Sequence, residues 1–362
     1  MFPVMLILSI IDLGQDRVET SSSRYRLERT SSIGSTVSST TLPLRASAFD
    51  RLEGVVPDVE RHLLAPILDD IDRLKRERNA VVLAHNYMTP DVFSGAADLR
   101  GDSLELARLA AETEADVIVM AGVHFMAETA KILSPDKTVL IPDPRAGCSL
   151  AESITGADVR ALRERYPGVP VVTYVNTSAE VKAESDITCT SSNAVRIVES
   201  LGTDRVLFLP DRYLGSWVAG QTDVEVIGWE GACEVHERFT AEEIEALRRS
   251  DPELAIIAHP ECPPDVLGAS DVVGSTSQMV AWVRDNQPER AVLITECSMA
   301  DNVAQEAPNT EFVRPCNMCP HMKRITVQNI RTALEELQHP VEVDPAIAER
   351  ARAAVTAMLR AS

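Results

Sequence analysis

The sequence predicts an α/β protein built from three similar units around a pseudo-threefold axis, and three observations predict it. From residue 80 onward, short Val- and Ile-rich runs alternate with helix-compatible segments. Three cysteines recur at matched spacing, 85 residues from Cys148 to Cys233 and 86 from Cys233 to Cys319. Between them the same polar punctuation recurs, which marks an internal repeat of one supersecondary unit.

The chain has 362 residues, more than a single core normally serves. Apolar residues make up 45% and aromatics only 4%, so the cores must rest on Leu, Val, Ile and Ala, which suits layered α/β packing. The net charge of -20 excludes nucleic acid and anionic membrane as partners, because both are repelled at long range. Any anionic substrate must then be held by local devices. Seven scattered cysteines are not a secreted disulfide framework and place the chain in a reducing cytosol.

In order along the chain, residues 1–48 read as a disordered tail or an overextended start. The apolar run "MFPVMLILSII" has no basic region before it, is followed by acidic residues and is too short to span a bilayer. The stretch after it is rich in Ser and Thr and lacks period. Residues 49–79 carry the helical pattern "VERHLLAPILDDIDRLKRERNA". Unit 1 (80–165) has the strands "AVVLAHNY", "ADVIVMAGV" and "KTVLIPD". Unit 2 (166–250) has "VPVVTYVN", "RVLFLPD" and "DVEVIGWEG"; unit 3 (251–340) has "ELAIIAHPE", "DVVGST" and "AVLITE". A helix is expected over 341–362.

The first strand of each unit ends on a polar residue, His85, Tyr174 or His259, where open α/β sheets place their ligands. Tyr87, Asn176 and Glu261 follow two positions later, so each pair can share a face and supply general acids and bases. Helix starts at Ser103, Ser191, and Ser275 with Thr276 offer hydroxyls and unpaired amides to a carboxylate or phosphate, besides ordinary capping. Each unit then closes on its cysteine, and a threefold arrangement brings Cys148, Cys233 and Cys319 to one centre. Cys189, Cys262 and Cys297 lack this register and read as structural.

Three thiolates from separate loops can bind zinc or an iron-sulfur cluster. Zinc usually takes close ligand pairs, and "CNMC" holds one at Cys316 and Cys319. A cubane accepts one ligand per loop and leaves an iron open for Lewis-acid chemistry. Two competing readings stand beside it: a zinc-dependent lyase or hydrolase, and a non-catalytic thiol or metal sensor.

At "AHNY", "ADLRGDSLELA", "PDPRAGCSLAE", "YVNTSAEVKAESDITCTSSNA", "CEVHE", "HPEC", "GSTSQM" and "CPHMK" the sequence resembles the quinolinate synthase family, from about Ala84 to Leu334. The resemblance implies a cytoplasmic enzyme of NAD biosynthesis with three α/β/α domains. It implies condensation of iminoaspartate with dihydroxyacetone phosphate to quinolinate, with loss of phosphate and two waters. It also implies one 4Fe-4S cluster on Cys148, Cys233 and Cys319, and a transient contact with the L-aspartate oxidase that supplies the imine. His85, Tyr87, Tyr174, Asn176, His259 and Glu261 would line the cavity, and Ser103, Ser191 and Thr276 would meet substrate carboxylates or phosphate. Tyr87 and Glu261 would carry most proton transfers, with Tyr174 and Asn176 positioning intermediates. Met88 stands where the family often has Gln, and Cys297 where many members have Gly. Cys316 resembles an extra cysteine of some members, a spare thiol or a disulfide partner of Cys319. An oxygen-sensitive cluster also calls for closure over the site.

Overall fold

The computed structural model describes residues 47–362, so the expectation for 1–48 lies almost wholly outside the described residues. Strands β1 (Ala80–His85), β2 (Leu99–Gly101), β3 (Val117–Ala121) and β4 (Thr138–Leu140) form one parallel sheet in the order 2-1-3-4. A second sheet has β5 (Val171–Tyr174), β6 (Ile187–Cys189), β7 (Arg205–Leu209) and β8 (Glu225–Gly228) in the order 6-5-7-8. The third has β9 (Ala255–Ala258), β10 (Val272–Val273), β11 (Arg290–Ile294) and β12 (Glu311–Val313) in the order 10-9-11-12. One topology is therefore built three times, with helices as crossovers, as parallel pairing requires.

Each sheet has four strands where the sequence suggested three. The strands missing from that reading, β2, β6 and β12, are three residues long, and so short a run carries no alternation to detect.

The three-layer arrangement follows from the period of two in a strand. In the third sheet Ile256, Val292 and Ile294 pack into one apolar cluster and Ile257, Ala291 and Leu293 into another. The second sheet divides likewise, with Val171, Leu207 and Leu209 on one side and Val172, Val206 and Phe208 on the other. The latter belong to the same continuous core as Val82, Leu83, Ile118 and Met120 of the first sheet. The first and second units thus share apolar packing, whereas the two clusters of the third sheet are separate.

A repeated aspartate fixes each first strand. Asp98, Asp186 and Asp271 accept the N–H groups of Val82, Val171 and Ile256 at 2.9, 2.7 and 2.8 Å. Their own N–H groups donate back to the carbonyls of the same residues. Each also meets a cation from the preceding helix: Lys75 at 2.8 Å, Arg163 at 2.9 Å and Arg248 at 2.8 Å. Counted from these aspartates, Thr276 rather than Ser275 is the equivalent of Ser103 and Ser191.

The N-terminal helix Asp58–Arg78 ends at Asn79 in the left-handed conformation (φ 46°), where the chain turns into β1. At the other end, the Val341 N–H donates to the Val139 carbonyl at 2.8 Å, laying the chain along the edge of β4. Helix Pro345–Ala361 then buries Ala351, Ala354, Val355 and Met358, with Arg352 reaching the Ile132 carbonyl at 2.6 Å. No described helix is long and apolar enough to cross a membrane.

Candidate functional site

The strand order reverses direction between β1 and β3, β5 and β7, and β9 and β11. At such a switch point the loops beyond the strand ends diverge and leave a crevice. The loops from all three crevices meet at one cavity of about 660 Å³, its mouth included. Its lining contains His85, Tyr87, Ser103, Cys148, Tyr174, Asn176, Ser191, Cys233, His259, Glu261, Thr276 and Cys319, and of the hydroxyls singled out in the sequence it lacks Ser275.

The cysteine loops are built alike. Each cysteine stands three residues before a one-turn 3-10 helix, Ala151–Ser153, His236–Arg238 or Met322–Arg324. The cysteine carbonyl accepts the N–H four residues on, from Glu152, Glu237 or Lys323. This curl aims two amides at each sulfur, from Leu150 and Ala151, from Val235 and His236, and from His321 and Met322. Burial pushes the Cys148 thiol up to about 12 and raises Cys233 and Cys319, against the pull of those amides. Amides already aimed at sulfurs that burial keeps protonated suit thiolates whose charge is balanced by bound metal.

Neighbouring groups lock the loops together. Ser149 Oγ accepts the Glu234 N–H at 3.2 Å, and Glu234 pairs with His321 Nε2 at 2.9 Å. Lys323 donates to Ser298 Oγ at 2.6 Å and to the Tyr87 carbonyl at 2.9 Å, and pairs with Glu296 at 2.8 Å. Glu296 in turn accepts the Cys319 N–H at 3.3 Å.

The strand ends differ from one another. Burial lowers His85 to about 4 and His259 to about 3, so both rings are neutral at neutral pH. His85 Nδ1 accepts the Tyr87 N–H at 3.2 Å, which leaves its Nε2 carrying the proton. His259 Nε2 lies 3.2 Å from Ser191 Oγ. Burial acts to raise the Glu261 carboxyl but is outweighed by His236, at 2.7 Å, and by His259, at 3.5 Å, which hold it below the usual carboxylate range. Burial, then the Glu261 charge, raises the Tyr87 and Tyr174 hydroxyls. Asn176 Oδ1 is buried without a hydrogen-bond partner and so is free to accept from a ligand.

Two central residues escaped the sequence reading. His236 Nε2 lies 2.9 Å from Thr295 Oγ1, which lies 2.5 Å from the Tyr87 hydroxyl. His236, Thr295 and Tyr87 therefore form a hydrogen-bonded row whose His236 end stands 2.7 Å from Glu261. His236 stands three residues after Cys233 in "CEVH", and this spacing was its only signal. Thr295 directly follows β11 and stood in "AVLITE", but was assigned no role. Among the helix starts, Ser103 and Thr276 are first residues of Ser103–Glu112 and Thr276–Asn286, while Ser191 precedes its helix, Ala194–Ser200, by three positions. Asn86 Nδ2 donates to Thr276 Oγ1 at 3.0 Å. Cys189 and Cys262 are buried, in keeping with structural roles, whereas Cys297 is half-buried beside Glu296 and Cys316 is exposed.

Fold and site define an α/β enzyme whose three sheets surround a thiol-lined centre. The family described as "NadA: Quinolinate synthetase A protein" matches residues 69–360. Quinolinate synthase 2 of Mesorhizobium japonicum is 62% identical over 321 residues, 89% of this chain and 99% of the relative. The quinolinate synthase of Agrobacterium fabrum is 62% identical over 87% of this chain and 91% of the relative. That of Caulobacter vibrioides is 57% identical over 87% of each. The chain belongs to the quinolinate synthetase A family, and its function is that of an enzyme of quinolinate synthesis in NAD biosynthesis. Neither the zinc lyase or hydrolase reading nor the sensor reading finds support in these relatives.

Proposed function

We propose that the chain condenses iminoaspartate with dihydroxyacetone phosphate to quinolinate, releasing phosphate and two waters, around a 4Fe-4S cluster held by Cys148, Cys233 and Cys319. The observation that carries this reading is the threefold cysteine loop, three sulfurs with paired amides on one cavity. A cluster with three protein ligands supplies, when bound, a Lewis acid at its open iron.

Every other role falls to side chains. Glu261, held ionised by the neighbouring His236, takes protons from carbon or nitrogen, while His236 and Thr295 hold the Tyr87 hydroxyl in place. Tyr87 and Tyr174, kept protonated by burial, donate to leaving oxygens. Asn176 Oδ1 orients an N–H of the forming ring. Ser103, Ser191 and Thr276 hold carboxylate and phosphate oxygens, with the helix N-termini at Ser103 and Thr276 adding unpaired amides. These neutral donors are the local devices that admit an anion to a protein of charge -20.

The test is Glu261→Gln, purified and assayed without oxygen. Iron and sulfide should stay at the wild-type level while turnover falls by about 10²–10⁴, the usual range for general acid–base catalysis. Full turnover with an intact cluster would remove Glu261 from the proposal.

A further inference from the structure

Cys233, His236 and Glu261 present one S, one N and one O donor within 4.8 Å of one another. Donors set about 2.0–2.3 Å from one tetrahedral ion lie about 3.3–3.8 Å apart, so side-chain shifts of about 1 Å would close this set on an ion. Cys233 and His236 form a Cys-x-x-His pair, the kind of close pair zinc sites use. The cysteine loops at Cys148 and Cys319 carry Ala151 and Met322 at the position of His236, so only this loop has such a set.

A second observation comes from hydrogen bonding. His236 Nδ1 lies 2.7 Å from a Glu261 oxygen yet is not aligned to bond it, and remains a buried nitrogen without a hydrogen-bond partner. The other Glu261 oxygen, Oε1, is likewise unpartnered. Both side chains are more than nine-tenths buried, at 1% and 4% exposure. Two buried donor atoms left without a hydrogen bond beside the Cys233 sulfur are donors that an ion drawing them apart to ligand spacing would satisfy. The opposite ring nitrogen, His236 Nε2, is held by Thr295 at 2.9 Å, the outer contact that fixes the tautomer of a metal-bound imidazole.

We propose that the iron-free chain binds one zinc-class divalent ion on Cys233 Sγ, His236 Nδ1 and a Glu261 oxygen, with the fourth position facing the cavity. The thiol excludes hard ions such as Mg²⁺ and Ca²⁺ and favours Zn²⁺ and Co²⁺. Binding releases the Cys233 proton to solvent, and no oxidant or reductant is required. The site builds on the reading of Cys233 as a cluster ligand: an ion here takes that thiolate and the Glu261 carboxylate together. Zinc and cluster are then mutually exclusive, and zinc arriving first blocks cluster assembly.

The experiment titrates Co²⁺ into anaerobic, iron-free full-length protein and records the absorption spectrum. One Co²⁺ per chain is expected, displaced by Zn²⁺, with four-coordinate ligand-field bands and a charge-transfer intensity matching a single thiolate. Cys148→Ala should keep this spectrum, and His236→Gln should lose it. Zn²⁺ added before iron and sulfide should suppress cluster uptake in the wild type. A charge-transfer intensity matching three thiolates, its decrease in Cys148→Ala, or the absence of a stoichiometric site would overturn the proposal. So would an unchanged spectrum in a folded His236→Gln chain. Should that variant not fold, the one-or-three thiolate count in the wild type still decides. Cluster assembly without zinc tests the cluster reading separately.

Discussion

The cysteine loops and the strand-end loops come from the same three units and line the same cavity, yet one set is uniform and the other is not. All three cysteine loops share the same curl, the same carbonyl hydrogen bond and the same pair of amides at sulfur. The strand ends instead carry His-x-Tyr, Tyr-x-Asn and His-x-Glu. A cluster with threefold ligation can be met by three copies of one loop. A condensation between two different molecules needs distinct groups on each side, so the repeat could stay uniform only where the chemistry is symmetric.

The cysteine variants test this contrast with the largest effect. Cys148→Ala, Cys233→Ala and Cys319→Ala should each abolish cluster iron and activity to the same degree, measured by iron and sulfide analysis and absorption. A cluster surviving in one of the three would break the equivalence. Strand-end variants should be unequal: Tyr87→Phe removes a proton donor and should cost turnover, whereas Asn176→Ala should chiefly raise KM, both with full iron content.

A smaller effect concerns pH. The folded state holds His85 near 4 and His259 near 3, below the ordinary 6.5 that the unfolded chain recovers. As pH falls below about 6.5, the unfolded chain takes up protons that the folded chain refuses. The stability from neutral burial is thus intact above 6.5 and is lost progressively as pH falls toward 4. The slope approaches about 1.4 kcal/mol per pH unit for each histidine. Urea midpoints of iron-free protein at pH 7 and pH 5 should differ accordingly, and less so for His85→Gln.

The smallest effect returns to the uniform part of the fold. Asp98→Ala, Asp186→Ala and Asp271→Ala each leave a strand amide unpaired and take one partner from a cation, and each should destabilise by about 1–3 kcal/mol. Three similar urea shifts would show the frame to be energetically as well as geometrically repeated.

What the sequence made legible follows the same division. Long buried strands, cysteine spacing and strand-end pairs recur, and recurrence is what exposes them without a structure. The short strands β2, β6 and β12 did not register, because three residues hold no period. His236 and Thr295 have no counterparts in the other units, so the repeat that revealed Glu261 could not reveal its partners. Lys323 and Glu296 stood in recognisable motifs, but their pairing crosses 27 positions (296 to 323) and exists only once the third unit folds.

The way the units are joined bears on how a substrate gets in. The first and second units share an apolar core, and helix Pro345–Ala361 straps them together. The third unit divides: its last helix, Val327–Glu336, lies in that same core through Val327, Ile330 and Leu334, whereas hydrogen bonds tie the part that carries its sheet to the first unit around the cavity, from Asn302 to the Asn86 and Met88 carbonyls at 2.8 Å each and from Ser277 to Asp102 at 2.7 Å. Water can replace such bonds at little net cost, whereas parting an apolar core exposes surface at about 25 cal/mol per Å². A doorway is therefore easiest to open at the polar seam, with the β9–β12 sheet and its own helices as the leaf, and the shared core, helix Val327–Glu336 included, as the post.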